Sequence, residues 1–244
     1  LLSRHPQADY LLFPEDREHV IRMRDHLPKR WIERGPRERF EGQACRGEFY
    51  AFQIGLLAAG QAIEDLRITA EDLRLPSGAG PAIPASAIRC FNTGGTDGAG
   101  RQFHKRFSLE KGQVAALWLG IQIPSDATPG RYEGTLRVAP KGLPAAEIAL
   151  RLDVQKELLQ DAGDREPWRH SRLRWLDSTI GLDDAPVAPF TPLVLDGRTI
   201  GCLGRDLTLD LTGLPGSIRT YFAPEVTHLI QPGREVLAGP IRFV

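Results

Sequence analysis

Apolar side chains return at every second position over long stretches of this chain, and that period limits what it can fold into. Tyr50, Phe52, Ile54 and Leu56 alternate with Ala51, Gln53, Gly55 and Leu57. Phe103, Lys105, Phe107 and Leu109 alternate with His104, Arg106, Ser108 and Glu110. Leu117, Leu119, Ile121 and Ile123 share one face; Tyr132, Gly134, Leu136 and Val138 share another, as do Ile148, Leu150, Leu152 and Val154. A period of two sends successive side chains to opposite sides of an extended strand. Between these runs lie turn-forming stretches, Pro124 to Gly130 and Lys141 to Pro144. The 19 prolines and 25 glycines sit between short apolar runs, which favours many turns and short strands. Consecutive strands with one apolar face and short polar turns read as antiparallel pairs. Together they predict a sandwich of about seven to nine strands. The best helical candidate, Ile63 to Leu73, is short and equally accommodates a strand around Leu66 and Ile68.

The 244 residues suffice for one large or two ordinary domains. The predicted class is all-β: an immunoglobulin-like antiparallel β-sandwich followed by a second, incomplete β-sheet module. Residues 1–30 read as an irregular arm, with charge clusters and Pro6, Pro14 and Pro28, and a short strand is expected near Trp31 and Ile32. The sandwich is expected over 31–155 and a linker or clasp over 156–192. The second β domain starts at 193 and runs to 244. There Leu193 to Leu195, an Asp196-Gly197 turn and Thr199 to Leu203 form a hairpin signal. About 64 residues, counted from the end of the tryptophan-rich segment near residue 180, are marginal for a closed sandwich, so an open sheet is expected. The final Gly239 to Val244 reads as the opening of a strand, and the coding frame is expected to continue.

Charge and motif content narrow the chemistry. Thirty-one basic residues face 31 acidic ones, and the basic ones are scattered, which argues against nucleic acid as a partner. No apolar run reaches the roughly 18–20 residues of a membrane span. A secreted or periplasmic location is the expectation, with no signal region present. Cys45, Cys90 and Cys202 are odd in number and widely spaced, which fits small apolar residues better than disulfides. The six histidines have no metal spacing, and no cofactor is expected. The glycine-rich run Asn92 to Gly100 lacks the Lys-Ser/Thr of a P-loop and reads as a flexible loop. No Gly-x-Ser-x-Gly elbow occurs. Asp183 and Asp184 are adjacent, so on an extended strand they point to opposite faces and read as turn residues rather than a catalytic pair.

One segment concentrates binding chemistry. Trp168 and Trp175 offer flat apolar faces suited to sugar rings, Arg169, Arg172 and Arg174 can hold carboxylate or sulfate groups, and His170 can titrate. These six are the candidate binding residues; no catalytic or metal residue is assigned. The competing reading is a clasp, with the tryptophans packed in and the arginines paired to Asp161, Asp164, Glu166 or Asp177. A third is that the segment lines part of an active site completed by another domain. Trp118, opposite Leu117 and Leu119, reads as a second-layer or interface residue.

Several runs also carry a family resemblance. Gly47 to Gly55, Cys90 to Gly95, Ala116 to Trp118 and Ile123 to Thr135 together resemble the N-terminal β-sandwich of bacterial glycoside hydrolase family 123-like proteins. Glu166 to Gly181 and Gly213 to Ile218 resemble segments of large relatives of those enzymes. The Pro129-Gly130-Arg131-Tyr132-Glu133-Gly134 part is common among sandwich hairpins, and the Trp168 to Arg172 run is more specific. The resemblance spans roughly residues 14–244. It implies a catalytic barrel beyond this chain that carries the acidic pair, and substrates of the N-acetylgalactosaminide type whose acetamido group serves as nucleophile. No residue here matches those carboxylates. The expected role is a non-catalytic accessory region that braces the missing C-terminal catalytic domain, with a glycan as candidate ligand. The alternatives are an independent carbohydrate-binding module and an extracellular structural sandwich.

Overall fold

The computed structural model describes residues 1–22 and 25–243, which divide into two compact units, Leu1–Thr179 and Ile180–Val244. In the first, the strands in chain order are β1 (Tyr10–Glu15), β2 (Arg39–Arg46), β3 (Phe49–Ala58), β4 (Leu66–Ala70), β5 (Ile88–Cys90), β6 (Gly94–Thr96), β7 (Gln102–His104), β8 (Val114–Gln122), β9 (Gly130–Pro140) and β10 (Ala146–Leu158). They form two four-stranded sheets, ordered β1-β3-β8-β5 and β2-β10-β9-β4, with β6 and β7 as a separate hairpin. The fold is an all-β sandwich, with eight strands in its two sheets. One pair departs from the expected antiparallel pattern: β2 runs parallel to β10, Phe40 opposite Leu150 and Ala44 opposite Val154.

The apolar alternation builds the core. Tyr50, Phe52, Ile54 and Leu56 of β3 and Leu117, Leu119 and Ile121 of β8 face Leu136 and Val138 of β9 and Ile148, Leu150 and Leu152 of β10. Strands β9 and β10 pair as the expected hairpin. Strand β8 lies in the other sheet, so the Pro124 to Pro129 connection crosses between layers. That is the sandwich solution to strands with one apolar face each.

Three local expectations are corrected. Residues 1–30 are not simply an irregular arm, because β1 pairs with β3 along its length, Tyr10 opposite Ala58 through Glu15 opposite Gln53. Trp31 and Ile32 lie in a short helix, α1 (Lys29–Arg34), not a strand. The Phe103 to Leu109 alternation yields a strand only over Gln102–His104, and the glycine-rich loop supplies its partner, Gly94–Thr96. Phe107 and Leu109 still enter the core. Their apolar side chains are buried without the backbone joining a sheet.

Strand β3 is buried on both faces. Its second face is covered by a smaller apolar cluster of Leu11, Phe13, Ile21, Trp31, Leu57, Ala59 and Val114. Trp31 stacks on Phe13 at 4.3 Å between centroids. It fits because position 55 is glycine: a Cβ there would lie 2.2 Å from the Trp31 ring. Gln53, fully buried, accepts from the Ile21 amide (2.8 Å) and donates to the Asp16 carbonyl (3.0 Å), so its polar group is satisfied by the covering chain.

Residues 156–192, expected as one linker or clasp, split between the units. Strand β10 continues to Leu158, and three 3-10 turns follow, Gln160–Gly163, Pro167–Arg169 and Ser171–Asp177. The last packs against β3, β6 and β8.

The second unit is an open antiparallel meander of five strands, β11 (Val194–Asp196), β12 (Thr199–Cys202), β13 (Arg205–Leu209), β14 (Pro215–Phe222) and β15 (Leu229–Glu235). Cross-strand register puts Leu195, Ile200, Leu207 and Ile218 on one face. The other face carries Thr199 and Thr208, bonded at 3.0 Å, and Tyr221, whose hydroxyl donates to Asp206 (2.6 Å). Gly239 to Phe243, expected to open a strand, is in none; Val244 lies outside the described residues. Of the cysteines, Cys45 is buried, Cys90 partly so, and Cys202 exposed, which corrects the expectation of three buried residues; all three are free thiols.

Candidate functional site

Glu48 immediately precedes β3, and its side chain is at 0% exposure. A carboxylate in that position must be paired and hydrogen-bonded. Its Oε1 accepts from Arg17 and from Arg169 (3.1 Å), and its Oε2 accepts from the Cys45 amide (2.7 Å). Three distant stretches thereby meet at one carboxylate: the N-terminal segment, the β2–β3 turn and the tryptophan-rich segment. Burial opposes charge on Arg169, yet Glu48 and Glu166 beside it raise its pKa overall. Arg17 lies 4.5 Å over the Tyr50 ring and 4.8 Å over Trp168, and Arg169 lies 4.4 Å over Trp168. Burial pushes the Tyr50 phenol up to about 12, with Arg17 partly offsetting it.

The six candidate residues fall into two groups around this centre. Arg169 is 9% exposed and is held by Glu48 and by Glu166 (3.2 Å). Gly163 lets it pass, since a Cβ there would meet the Arg169 side chain at 2.9 Å. Trp168 donates its indole N–H to Glu166 (3.1 Å) yet stays 52% exposed. His170 has a left-handed backbone (φ 55°) and packs edge-on to Trp118 at 5.5 Å, which makes Trp118 a covered outer-face residue. The second group gathers on Asp164: its carboxylate accepts from Arg174, the Trp175 indole (3.1 Å) and Ser171 (3.2 Å), and its carbonyl accepts from Arg172 (3.0 Å). Arg172 lies 5.4 Å over Trp175, which is 53% exposed. Asp177 pairs with Arg89 (3.5 Å) and accepts from the Thr96 amide (3.2 Å), tying the β6–β7 hairpin to the segment.

Arg169 and Arg174 are thus engaged by carboxylates of this chain and Arg172 by a backbone carbonyl, while both tryptophans remain half exposed. Glu48 and Arg17 were not among the candidates. The one signal for Glu48 is a charged residue heading the most apolar strand; Arg17 carries none, because its partner lies 31 positions away.

Trp168 and Arg169 form one wall of a cleft of about 600 Å³. Outward positions of β2 and β10, among them Glu41, Gln43, Asp153 and Glu157, also line it, together with Asp16 and Glu18. Asp16, Glu18 and His19 bring their ligand atoms within 4.8 Å of one another. Asp16 already accepts from the amides of Glu18 (2.8 Å) and His19 (3.1 Å), so this is a self-capped turn. Asp183 likewise caps the Ala185 amide (3.2 Å) in an exposed turn.

Residues 193–244 match the family model described as glycoside hydrolase 123, third domain. Over these residues the chain is glycoside hydrolase 123-like. The structural likenesses are weaker. A family 123 glycoside hydrolase from Clostridium perfringens, described for glycolipid glycan hydrolysis, is 16% identical with a TM-score of 0.47; the match covers 63% of this chain and 28% of that one. The secreted serine protease VesC from Vibrio cholerae is 11% identical with a TM-score of 0.31, over 75% and 33% of the two chains. A type I cohesin from Pseudobacteroides cellulosolvens is 9% identical with a TM-score of 0.23, over 50% and 92%. No curated protein matches. The chain therefore spans little more than a quarter of the length of the family 123 enzyme it resembles.

Proposed function

We propose that this chain is a non-catalytic accessory region of a glycoside hydrolase, bracing a catalytic domain carried elsewhere on the same polypeptide. The match of residues 193–244 to the third domain of glycoside hydrolase 123 carries the reading. Two features of the chain support it. Glycoside hydrolysis needs carboxyl groups free to donate a proton or attack at the scissile bond. Glu166 and Asp164, which accept from the Trp168 and Trp175 indoles, are instead held by arginines, as is Glu48. Second, the five-stranded sheet keeps Leu195, Ile200, Leu207 and Ile218 on one face with no second layer over it among the described residues of its unit. A one-layer sheet with an apolar face is what a docking module presents to a neighbouring domain.

The test is direct. The purified chain is incubated with a panel of aryl glycosides that includes N-acetylgalactosaminides, and no turnover is expected. Turnover that survives purification and disappears when an Asp or Glu of this chain is replaced would overturn the reading. The half-exposed Trp168 and Trp175 favour a second reading, an independent carbohydrate-binding module. It predicts glycan binding by this chain whether or not it docks to another domain.

A further inference from the structure

We propose that the cleft between Trp168 and the outward face of β2 and β10 binds a neutral sugar residue. The proposal rests on the reading of this chain as part of a carbohydrate-processing protein and names the ligand class of one site on it.

The cleft has the size and the mixture of groups that such a ligand needs. Its volume of about 600 Å³ falls inside the ~300–1,000 Å³ of ordinary small-molecule sites. A pyranose presents hydroxyls around its rim and C–H groups on its faces. Carboxylates and amides accept and donate to the hydroxyls, and an indole takes the C–H face. The cleft supplies both, since Glu18, Glu157 and Gln43 line it together with Trp168. Trp168 is fixed before any ligand arrives, by its bond to Glu166 and by the guanidinium groups of Arg17 and Arg169. A preset aromatic wall spares the ligand the cost of ordering it.

Charge selects the class of sugar. Arg17 and Arg169 would be the natural grip for a uronic acid, a sialic acid or a sulfate, but both are committed to Glu48. Glu18 and Glu157 have no cationic partner among the described residues, and Asp153 and Glu41 add acidity, balanced by Arg131 and Arg151. An anionic sugar would meet unneutralised carboxylates at close range, and a neutral one would meet hydrogen-bond acceptors.

The 244-residue chain is titrated with methyl β-galactoside, methyl β-glucoside, glucuronic acid and hexalysine, following the indole N–H signals by NMR. A neutral methyl glycoside is expected to saturate the Trp168 signal with a Kd on the order of 1–10 mM, leaving the buried Trp31 signal unmoved. Trp168→Ala is expected to weaken binding at least about tenfold, an aromatic contact's usual share, and Trp175→Ala to leave it unchanged. Because Trp168→Ala also releases Arg17 and Arg169, Glu157→Gln, elsewhere in the lining, is the second variant. It touches neither arginine and is expected to weaken binding about threefold or more. Absence of saturation by both neutral glycosides while Trp31 reports a folded chain overturns the proposal. So does tighter binding of glucuronic acid, hexalysine binding at Trp168 in place of the sugars, or an equal loss in Trp175→Ala. Aryl glycoside turnover would overturn the accessory reading and leave the cleft standing; failure of saturation would do the reverse.

Discussion

At Glu48 one carboxylate replaces what would otherwise be several independent contacts. It is fully buried, and two guanidinium groups and an amide occupy three of its roughly four acceptor sites. Such a centre adds little net stability over an apolar core, but breaking it is costly because unpaired charge stays behind. Glu48→Gln removes the carboxylate that pairs with Arg17, leaves Arg169 with Glu166 alone, and is expected to cost about 3 kcal/mol in urea unfolding. It should also raise hydrogen exchange across residues 160–177. Tyr50 gives a pH signature. Its phenol titrates near 10 in an unfolded chain and at about 12 here, because burial disfavours the phenolate. The folded state therefore holds this proton more tightly, and the associated stability is whole below about pH 10 and lost as pH rises through about 12. Two pKa units correspond to about 3 kcal/mol. Denaturation midpoints measured from pH 9 to 12 should fall steeply in the parent, and Tyr50→Phe should flatten that fall.

Among the elements, β3 organises the first unit. Its second face is sealed in one patch by Trp31 of α1 and Ile21 and in another by the 3-10 turns that end at Asp177. The small residues Ala51 and Gly55 on that face are the trace in the sequence of a close-fitting cover. The pattern shows that room exists but not what fills it, since Trp31 arrives from 24 positions earlier in the chain. Gly55→Ala places a methyl group 2.2 Å from the Trp31 ring. It is expected to lower stability by about 1–3 kcal/mol, with Trp31 fluorescence shifting red in the folded state. A variant with native stability and spectrum would show that the cover is not held against β3. The tryptophan-rich segment was legible in its residue types and much less so in its partners. Asp164 and Glu166 serve the arginines as expected, whereas Asp177 turns to Arg89 and the β6–β7 hairpin.

For the whole molecule, the two compact units differ in how each buries its apolar groups. The first encloses a sandwich core between two sheets. The second is one sheet whose apolar face has no second layer over it among the described residues of its unit, preceded by an exposed stretch containing Ile180, Val187, Phe190 and Leu193. Exposed backbone with few buried contacts is where proteases cut first. Limited proteolysis is expected to cleave within residues 180–193 and to leave a resistant fragment ending near Thr179, identified by mass. First cuts inside β3 or β8 would contradict that division. Ile218→Asp on the apolar face should leave the unfolding of the first unit unchanged within about 0.5 kcal/mol and reduce self-association of the chain measured by ultracentrifugation.

The period-two alternation by itself determined most of the strands and which face of each is apolar, because that period is a property of a few neighbouring residues. It also placed the all-β class and the hairpin at β11 and β12. Strand β15 escaped notice because Pro232 and Gly233 lie inside it. Only the tertiary structure decided which sheet each strand joins, the parallel pairing of β2 with β10, and the cover over β3. The meeting of Glu48 with Arg169, 121 positions away, belongs to the same class. Those outcomes depend on which surfaces meet after collapse, and no local pattern encodes the partner of a buried charge. The sandwich brings Arg17, Glu48 and Trp168 to one corner, of which only Trp168 was marked in the sequence, and that corner shapes the cleft.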